Sequence, residues 1–222
     1  MKYFSKDYLD FFKELAANNN KDWFDINRKR YEQNIKKAFE VFTTDLISEV
    51  HKIDPKIDIT YKDAIFRINR DIRFSKDKTP YKLNRSAIIS PNGRKDKAFP
   101  GLYYEIGPES FRIYGGVYMP DKEQLLSIRE RIFEDPEKLK ELTENKAFEK
   151  IFGEIRGEEN KILKPPFKDA AKTTPILFKK QFYWYTELDV NLVLGDDLLE
   201  KTVEVYLVNK PLMDYFAEAM DF

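Results

Sequence analysis

The chain has 222 residues, 42% hydrophobic and 15% aromatic, with 39 Lys and Arg balancing 39 Asp and Glu, so it can build a large core but cannot coat nucleic acid by bulk charge. The absence of Cys excludes disulfides, iron–sulfur clusters and Cys nucleophiles, and a single His excludes a multi-His metal site within one chain; no metal or other cofactor is implied. No apolar run is long enough to span a membrane, and the start Met1–Leu15 alternates charge with aromatics where a signal peptide would be apolar, so the chain reads as cytoplasmic with no membrane partner.

Ser5, followed by Tyr8, Leu9, Phe12, Leu15 and Ala16, predicts a capped amphipathic helix ending at Asn18-Asn19-Asn20. Asn20 then caps a second stripe, Phe24, Tyr31, Ile35, Phe39, Phe42, Leu46, Val50 and Ile53, which predicts one helix of about 33 residues, ~50 Å long, ending before Pro55. From Ala64 the period becomes two. Phe66, Ile68, Ile72 and Phe74 would share the buried face of a strand, with Arg67, Asn69, Asp71 and Arg73 on the other. Residues 85–90 predict a further strand, closed by a turn at Pro91-Asn92-Gly93-Arg94. Residues 102–106 and 111–118 form a hairpin around Gly107-Pro108-Glu109-Ser110, with Glu105 opposite Arg112 and Tyr103 opposite Tyr114. A helix starts near Asp121, and another at Asp135-Pro136 carries Leu139, Leu142, Phe148 and Ile151. Residues 153–176 read as irregular, 181–189 as a last strand, and 196–209 and 211–220 as two closing helices separated at Pro211. The pattern predicts a single α+β domain, 1–222, its mainly antiparallel sheet covered by the long N-terminal helix and the C-terminal helices.

Charge is unevenly spread. Residues 67–97 hold ten Lys and Arg against three Asp and Glu, while 98–222 hold 17 against 24, so the neutral total conceals a basic middle segment. Arg forks at strand spacing, passing into a loop with Ser75 and Lys76, suit phosphate or carboxylate oxygens. The competing reading pairs these cations with the acidic C-terminal half. Arg70 falls on the apolar face between Ile68 and Ile72, and so requires either a buried carboxylate such as Asp25 or a β-bulge that turns it outward.

Asn18-Asn19-Asn20-Lys21-Asp22-Trp23-Phe24, then Asn27 and Arg28, Arg67-x-Asn69-Arg70-Asp71-x-Arg73-Phe74-Ser75-Lys76-Asp77-Lys78-x-Pro80-Tyr81-Lys82, and Gly115-Gly116-Val117-Tyr118-Met119-Pro120 together resemble the bacterial and fungal family of conserved hypothetical proteins termed domain of unknown function 2461. The resemblance covers nearly the whole chain and implies a single-domain fold and a shared site, with no catalytic residue to transfer. One departure is visible: the family pattern tends to place Asp-His-Pro after the Pro-rich segment, whereas Asp169 is followed here by Ala170 and Ala171.

Weaker signals have ordinary structural explanations. Ser75-x-x-Lys78 lacks the Lys-Thr-Gly that accompanies Ser-x-x-Lys in acyl-transfer enzymes; His51 sits at a helix edge, where His is usually a surface residue. Asp71 and Asp77 would hold Mg²⁺ only beside a bound phosphate. Trp23, Tyr103, Tyr114, Tyr118, Tyr183, Trp184 and Tyr185 can stack on a base or sugar, but strand aromatics more often pack a core.

Three readings of function follow, in order. The first is binding, with or without turnover, of a phosphorylated or anionic small molecule at the Arg67–Lys82 segment by Trp23, Arg67, Asn69, Asp71, Arg73, Ser75 and Lys76. The second is a nucleic-acid-binding module using the same cations and exposed aromatics. The third is a structural or interaction protein whose Arg-Asp motif only ties the fold together. Reaction type and oligomeric state are not encoded legibly.

Overall fold

The N-terminal apolar stripes form helices, in shorter pieces than their periodicity predicts. A computed structural model describes residues 1–220. Helix α1 (Lys6–Ala17) buries Tyr8, Leu9, Phe11, Phe12 and Leu15. Ser5 occupies its N-cap through the backbone carbonyl, which accepts from Tyr8 N–H at 3.0 Å, while the hydroxyl makes no cap bond.

The single helix expected after Asn20 is divided into α2 (Lys21–Ile26), α3 (Arg28–Arg30), a π-helical turn at Tyr31–Lys36 and α4 (Lys37–Ile53). Side-chain spacing accounts for the π turn. Tyr31, Ile35 and Phe39 are four residues apart, and a 3.6-residue turn rotates such a row by about 40° per step. The wider turn absorbs that surplus and leaves all three residues at 5% exposure or less.

The expected strand over 64–74 does not form. After α5 (Tyr61–Ala64), capped by the Thr60–Asp63 box, an extended arm meets the opposing backbone at two isolated bridges, Ile65 with Ala87 and Asn69 with Tyr81. The pairing register slips by two residues between those bridges, so no continuous ladder can run through them. Of the four residues assigned to the inner face, only Ile68 is buried, and Phe74 is 95% exposed.

The sheet has strands β1 (Arg85–Ile89), β2 (Leu102–Ile106), β3 (Phe111–Val117) and β4 (Phe182–Leu188), antiparallel in the order β1-β2-β3-β4. The β2–β3 hairpin has the expected register: Gly107 N–H donates to the Ser110 carbonyl at 2.9 Å, and Arg112 lies 3.6 Å from Glu105. The fold is α+β.

The chain divides into two compact units, each drawn from three stretches of sequence. The first comprises Met1–Arg94, Tyr103–Ile113 and Glu187–Glu204. In it Phe39 and Phe42 of α4 pack on Tyr104 of β2 at 5.4 and 5.6 Å, and the Thr43 and Tyr104 hydroxyls share a 2.6 Å hydrogen bond. The second comprises Lys95–Leu102, Tyr114–Thr186 and Val205–Phe222. Its centre is Trp184, fully buried with Phe148 at 5.7 Å and Phe216 at 5.9 Å, its indole N–H donating to Asn209 Oδ1 at 2.6 Å.

Helix α6 (Lys122–Glu134) starts at the Asp121 capping box, as expected. The helix predicted from Pro136 is two, α7 (Pro136–Thr143), which ends at its C-cap Glu144, and α8 (Lys146–Phe152), which Asn145 caps by accepting from Ala147 and Phe148 N–H. A short helix α9 (Phe167–Ala170) lies within the segment read as irregular. Conversely, the two predicted C-terminal helices are one, α10 (Leu198–Glu218), which passes through Pro211. Proline removes one helical hydrogen bond, and the buried Tyr206, Leu212, Met213 and Phe216 on both sides hold the helix together across the gap. Among the described residues, no helix is long and apolar enough to cross a membrane.

Candidate functional site

The arm between α5 and β1 carries most of the sequence-predicted site, and the Asn-rich junction between α1 and α2 holds its far end. Asn19 makes a two-way clamp on Tyr81: its amide nitrogen donates to the Tyr81 carbonyl at 2.9 Å, and its side-chain oxygen accepts from Tyr81 N–H at 3.1 Å. A side chain thereby reproduces the pairing a neighbouring strand would give. The Phe24 ring stacks on Tyr81 at 4.0 Å and 16°, while Asn20 caps α2 by accepting from Trp23 N–H at 2.9 Å. Trp23 itself is half-buried, with its ring 5.4 Å from Phe11; it packs on α1, and no cation lies over it among the described residues.

Beyond Asn69 the chain folds on itself through two local ion pairs. Arg73 grips Asp71 bidentately, Nε at 3.0 Å and Nη2 at 2.7 Å. Arg70 pairs with Asp77 at 2.5 Å and also donates to the Thr79 carbonyl at 3.1 Å and to its hydroxyl. Asp77 in turn accepts from Thr79 N–H at 2.9 Å. Arg70 is therefore not the buried, Asp25-paired residue that alternation suggested: its side chain is 27% exposed and its carboxylate comes from its own loop, while Asp25 is held by Lys21 and Arg28. Neither Arg70 nor Arg73 forms an ion pair with the acidic C-terminal half among the described residues. Lys78 Nζ donates to the Ile72 carbonyl at 2.9 Å, which also accepts from Ser75 N–H at 3.3 Å, and His51 Nδ1 lies 2.9 Å from the Ile57 carbonyl beyond α4.

These ties leave a specific remainder. Arg67 and Lys76 are exposed and make no ion pair among the described residues, and Asn69 is exposed with its carboxamide unbonded. Ser75 is half-buried, and Phe74 stands out from the loop with the Arg73 guanidinium 5.8 Å from its ring. Arg67, Asn69, Asp71, Arg73, Ser75 and Lys76 thus lie on one exposed arm, with Asp71 and Arg73 already neutralising each other.

Residues 7–215 match the family of conserved hypothetical proteins designated DUF2461. The chain belongs to this family. Comparison with curated proteins and with solved structures finds no match. In this DUF2461 protein the junction and arm motifs that carry the family resemblance meet at the Asn19–Tyr81 clamp and the Phe24–Tyr81 stack.

Arg73 holds the Asp71 carboxyl down to about 2, and Asp77 is lowered to about 2 by the Thr79 backbone N–H first and by Arg70 next. Because both pKa values are depressed, the loop's ties are complete above about pH 4 and are lost as pH falls through about 2. NMR titration of the two carboxyl carbons should give midpoints near those values. Arg73→Ala should move the Asp71 midpoint up toward the ordinary carboxylate range but not all the way, because the residue-73 backbone N–H and Arg67 still act on the carboxylate, while Asp77 stays low. A wild-type Asp71 midpoint near the ordinary value would show that the bidentate pair is not held in solution.

One buried charge was not singled out from the sequence: Arg85, read as part of the basic segment and of the strand 85–90, is 4% exposed at the head of β1. Its signal was available: alternation puts it on one face with Ala87 and Ile89.

Proposed function

We propose that the DUF2461 arm binds a phosphorylated or otherwise anionic small ligand, with Arg67 and Lys76 as its cations and Asn69 and Ser75 as neutral donors. The observation that carries this reading is the accounting of charge on the arm. Both carboxylates are already used by Arg73 and Arg70, so Arg67 and Lys76 remain for an outside oxyanion. Arg73 engages Asp71 through Nε and Nη2 only, and the pair fixes the guanidinium's orientation before a ligand arrives, which favours bidentate recognition. Asp71 and Asp77, held at about 2, are weak bases near neutrality, so the reading is one of binding rather than proton transfer.

A second reading, contact with single-stranded nucleic acid, is favoured by Phe74: an aromatic ring 95% exposed beside a cation is a platform on which a base can stack. Titrating nucleotides, sugar phosphates and short oligonucleotides at two salt concentrations separates the two. For the small-ligand reading, Arg67→Ala and Lys76→Ala should each weaken a saturable interaction roughly 10-fold, with little dependence on salt and none on Phe74. Affinity that rises with oligonucleotide length, falls steeply with salt and drops in Phe74→Ala would transfer the arm to nucleic acid. No binding of any of these probes would leave the motif a structural one.

A further inference from the structure

Arg85 is the most deeply buried cation of the first unit, and its surroundings are wrong for a structural ion pair. Its guanidinium carbon lies 5.5 Å from the Phe39 ring centre and 6.0 Å from that of Tyr31. No ion pair or side-chain hydrogen bond is made by its guanidinium among the described residues, and Nε is sealed from solvent with no hydrogen-bond partner. The titratable groups that feel its charge are the phenols of Tyr8, Tyr31 and Tyr104, each pushed up by burial and so neutral at pH 7. The residues around the cation thus offer ring faces and hydroxyls, and among the described residues no carboxylate within ion-pair distance, Glu32 and Glu40 acting on the Tyr31 phenol instead.

A guanidinium cannot relieve its burial by losing a proton, as a buried Lys or carboxylate does. Ring faces compensate only partly. The ring nearest the orphaned charge after Phe39 belongs to Tyr31, the first residue of the π-helical turn. Such local widenings recur at ligand sites, and this one presents Tyr31 to the cation.

We propose that Arg85 anchors a binding site for a small monocarboxylate, whose oxygens complete the guanidinium's missing ion pair and whose apolar body lies against Tyr31 and Phe39. One negative charge matches one buried cation. A phosphate dianion would leave surplus charge among phenyl faces, where it is poorly solvated. The planar carboxylate also fits the two-pronged edge of the guanidinium. This site uses none of the arm's cations, and it stands or falls independently of the arm's ligand.

The test uses the whole protein with acetate, benzoate and inorganic phosphate at fixed ionic strength, read by thermal unfolding and by the side-chain Nε–H resonances of labelled arginine. Arg85→Lys identifies the Arg85 resonance by its loss. In wild type, benzoate should shift that resonance saturably and raise Tm by about 5 °C at a hundredfold excess over its Kd, with acetate weaker and phosphate without effect. Arg85→Met, which replaces the buried charge with an apolar chain of similar length, should fold and lose the benzoate response; Arg85→Lys should retain a reduced one. An Arg85 resonance indifferent to every anion overturns the proposal even if Arg85→Met does not fold. An equal benzoate response in Arg85→Met, or phosphate acting as well as benzoate, overturns it too.

Discussion

Gly116→Ala should lower the stability of the protein by about 3 kcal/mol or more, the sum of a left-handed backbone penalty and an overpacking penalty. Gly116 sits at φ +107°, where a side chain is strained whatever the space around it. The space is also absent: a Cβ there would lie 2.0 Å from the Phe182 carbonyl oxygen and 2.9 Å from the Trp184 ring. The first of these is backbone of β4 and cannot rotate away. Gly115→Ala acts through a different route, because its Cβ would meet Asn209 Oδ1 at 2.1 Å and Trp184 Nε1 at 2.6 Å, the two ends of the buried indole–amide hydrogen bond. Urea unfolding should show a lower midpoint for both variants, with the larger loss at Gly116. A loss below about 1 kcal/mol at Gly116 would mean that β3 and β4 do not approach as closely in solution as the structure has them. The Gly-Gly pair in the family motif is thus accounted for by packing, and needs no ligand to explain it.

The parts of the fold that could be read from the chain are those in which local pattern and tertiary environment agree. Tyr8 to Leu15, the row from Tyr31 to Val50, the Glu105–Arg112 register and the inward Phe182 and Trp184 all follow from periodicity, because a single buried face decides each. The arm misleads for the opposite reason. Its alternation from Phe66 to Phe74 has the period of a strand, yet alternation says nothing of the partner, and the slip between the bridges at Ile65 and Asn69 removes the ladder. Two local signals could have corrected the reading. Asp71 and Arg73, two apart, are close enough to pair with each other, and Asp77-Lys78-Thr79 has an acceptor placed for the N–H two residues on, a turn former. Both oppose an open row of free arginines. Pro211 shows a local rule overridden by burial on both flanks, and the half-buried Trp23 packs one side of its ring near Phe11.

Tyr81→Ala should cost about 3–5 kcal/mol, the range for removing a large buried aromatic, and should release the arm as well as weaken the core. The ring is 6% exposed and stacked on Phe24, so its removal leaves a cavity against α2. The hydroxyl makes no hydrogen bond among the described residues, and Tyr81→Phe should therefore stay within about 0.5 kcal/mol of wild type. Asn19→Ala deletes both halves of the clamp and strands a backbone donor and acceptor, for a loss of about 1–3 kcal/mol. A double-mutant cycle between Phe24→Leu and Tyr81→Leu should report a coupling of about 0.5–1.5 kcal/mol for the stacked pair. The Asn19 variant separates the two readings of the arm. If the motif only ties helix to arm, variants at Asn19 and Tyr81 change unfolding and nothing else. If Arg67 and Lys76 receive an anion, Asn19→Ala should weaken that binding at temperatures where the protein remains fully folded, because the clamp then no longer fixes the end of the loop that carries them. Undiminished anion affinity in folded Asn19→Ala would show that the cations act without the clamp's support.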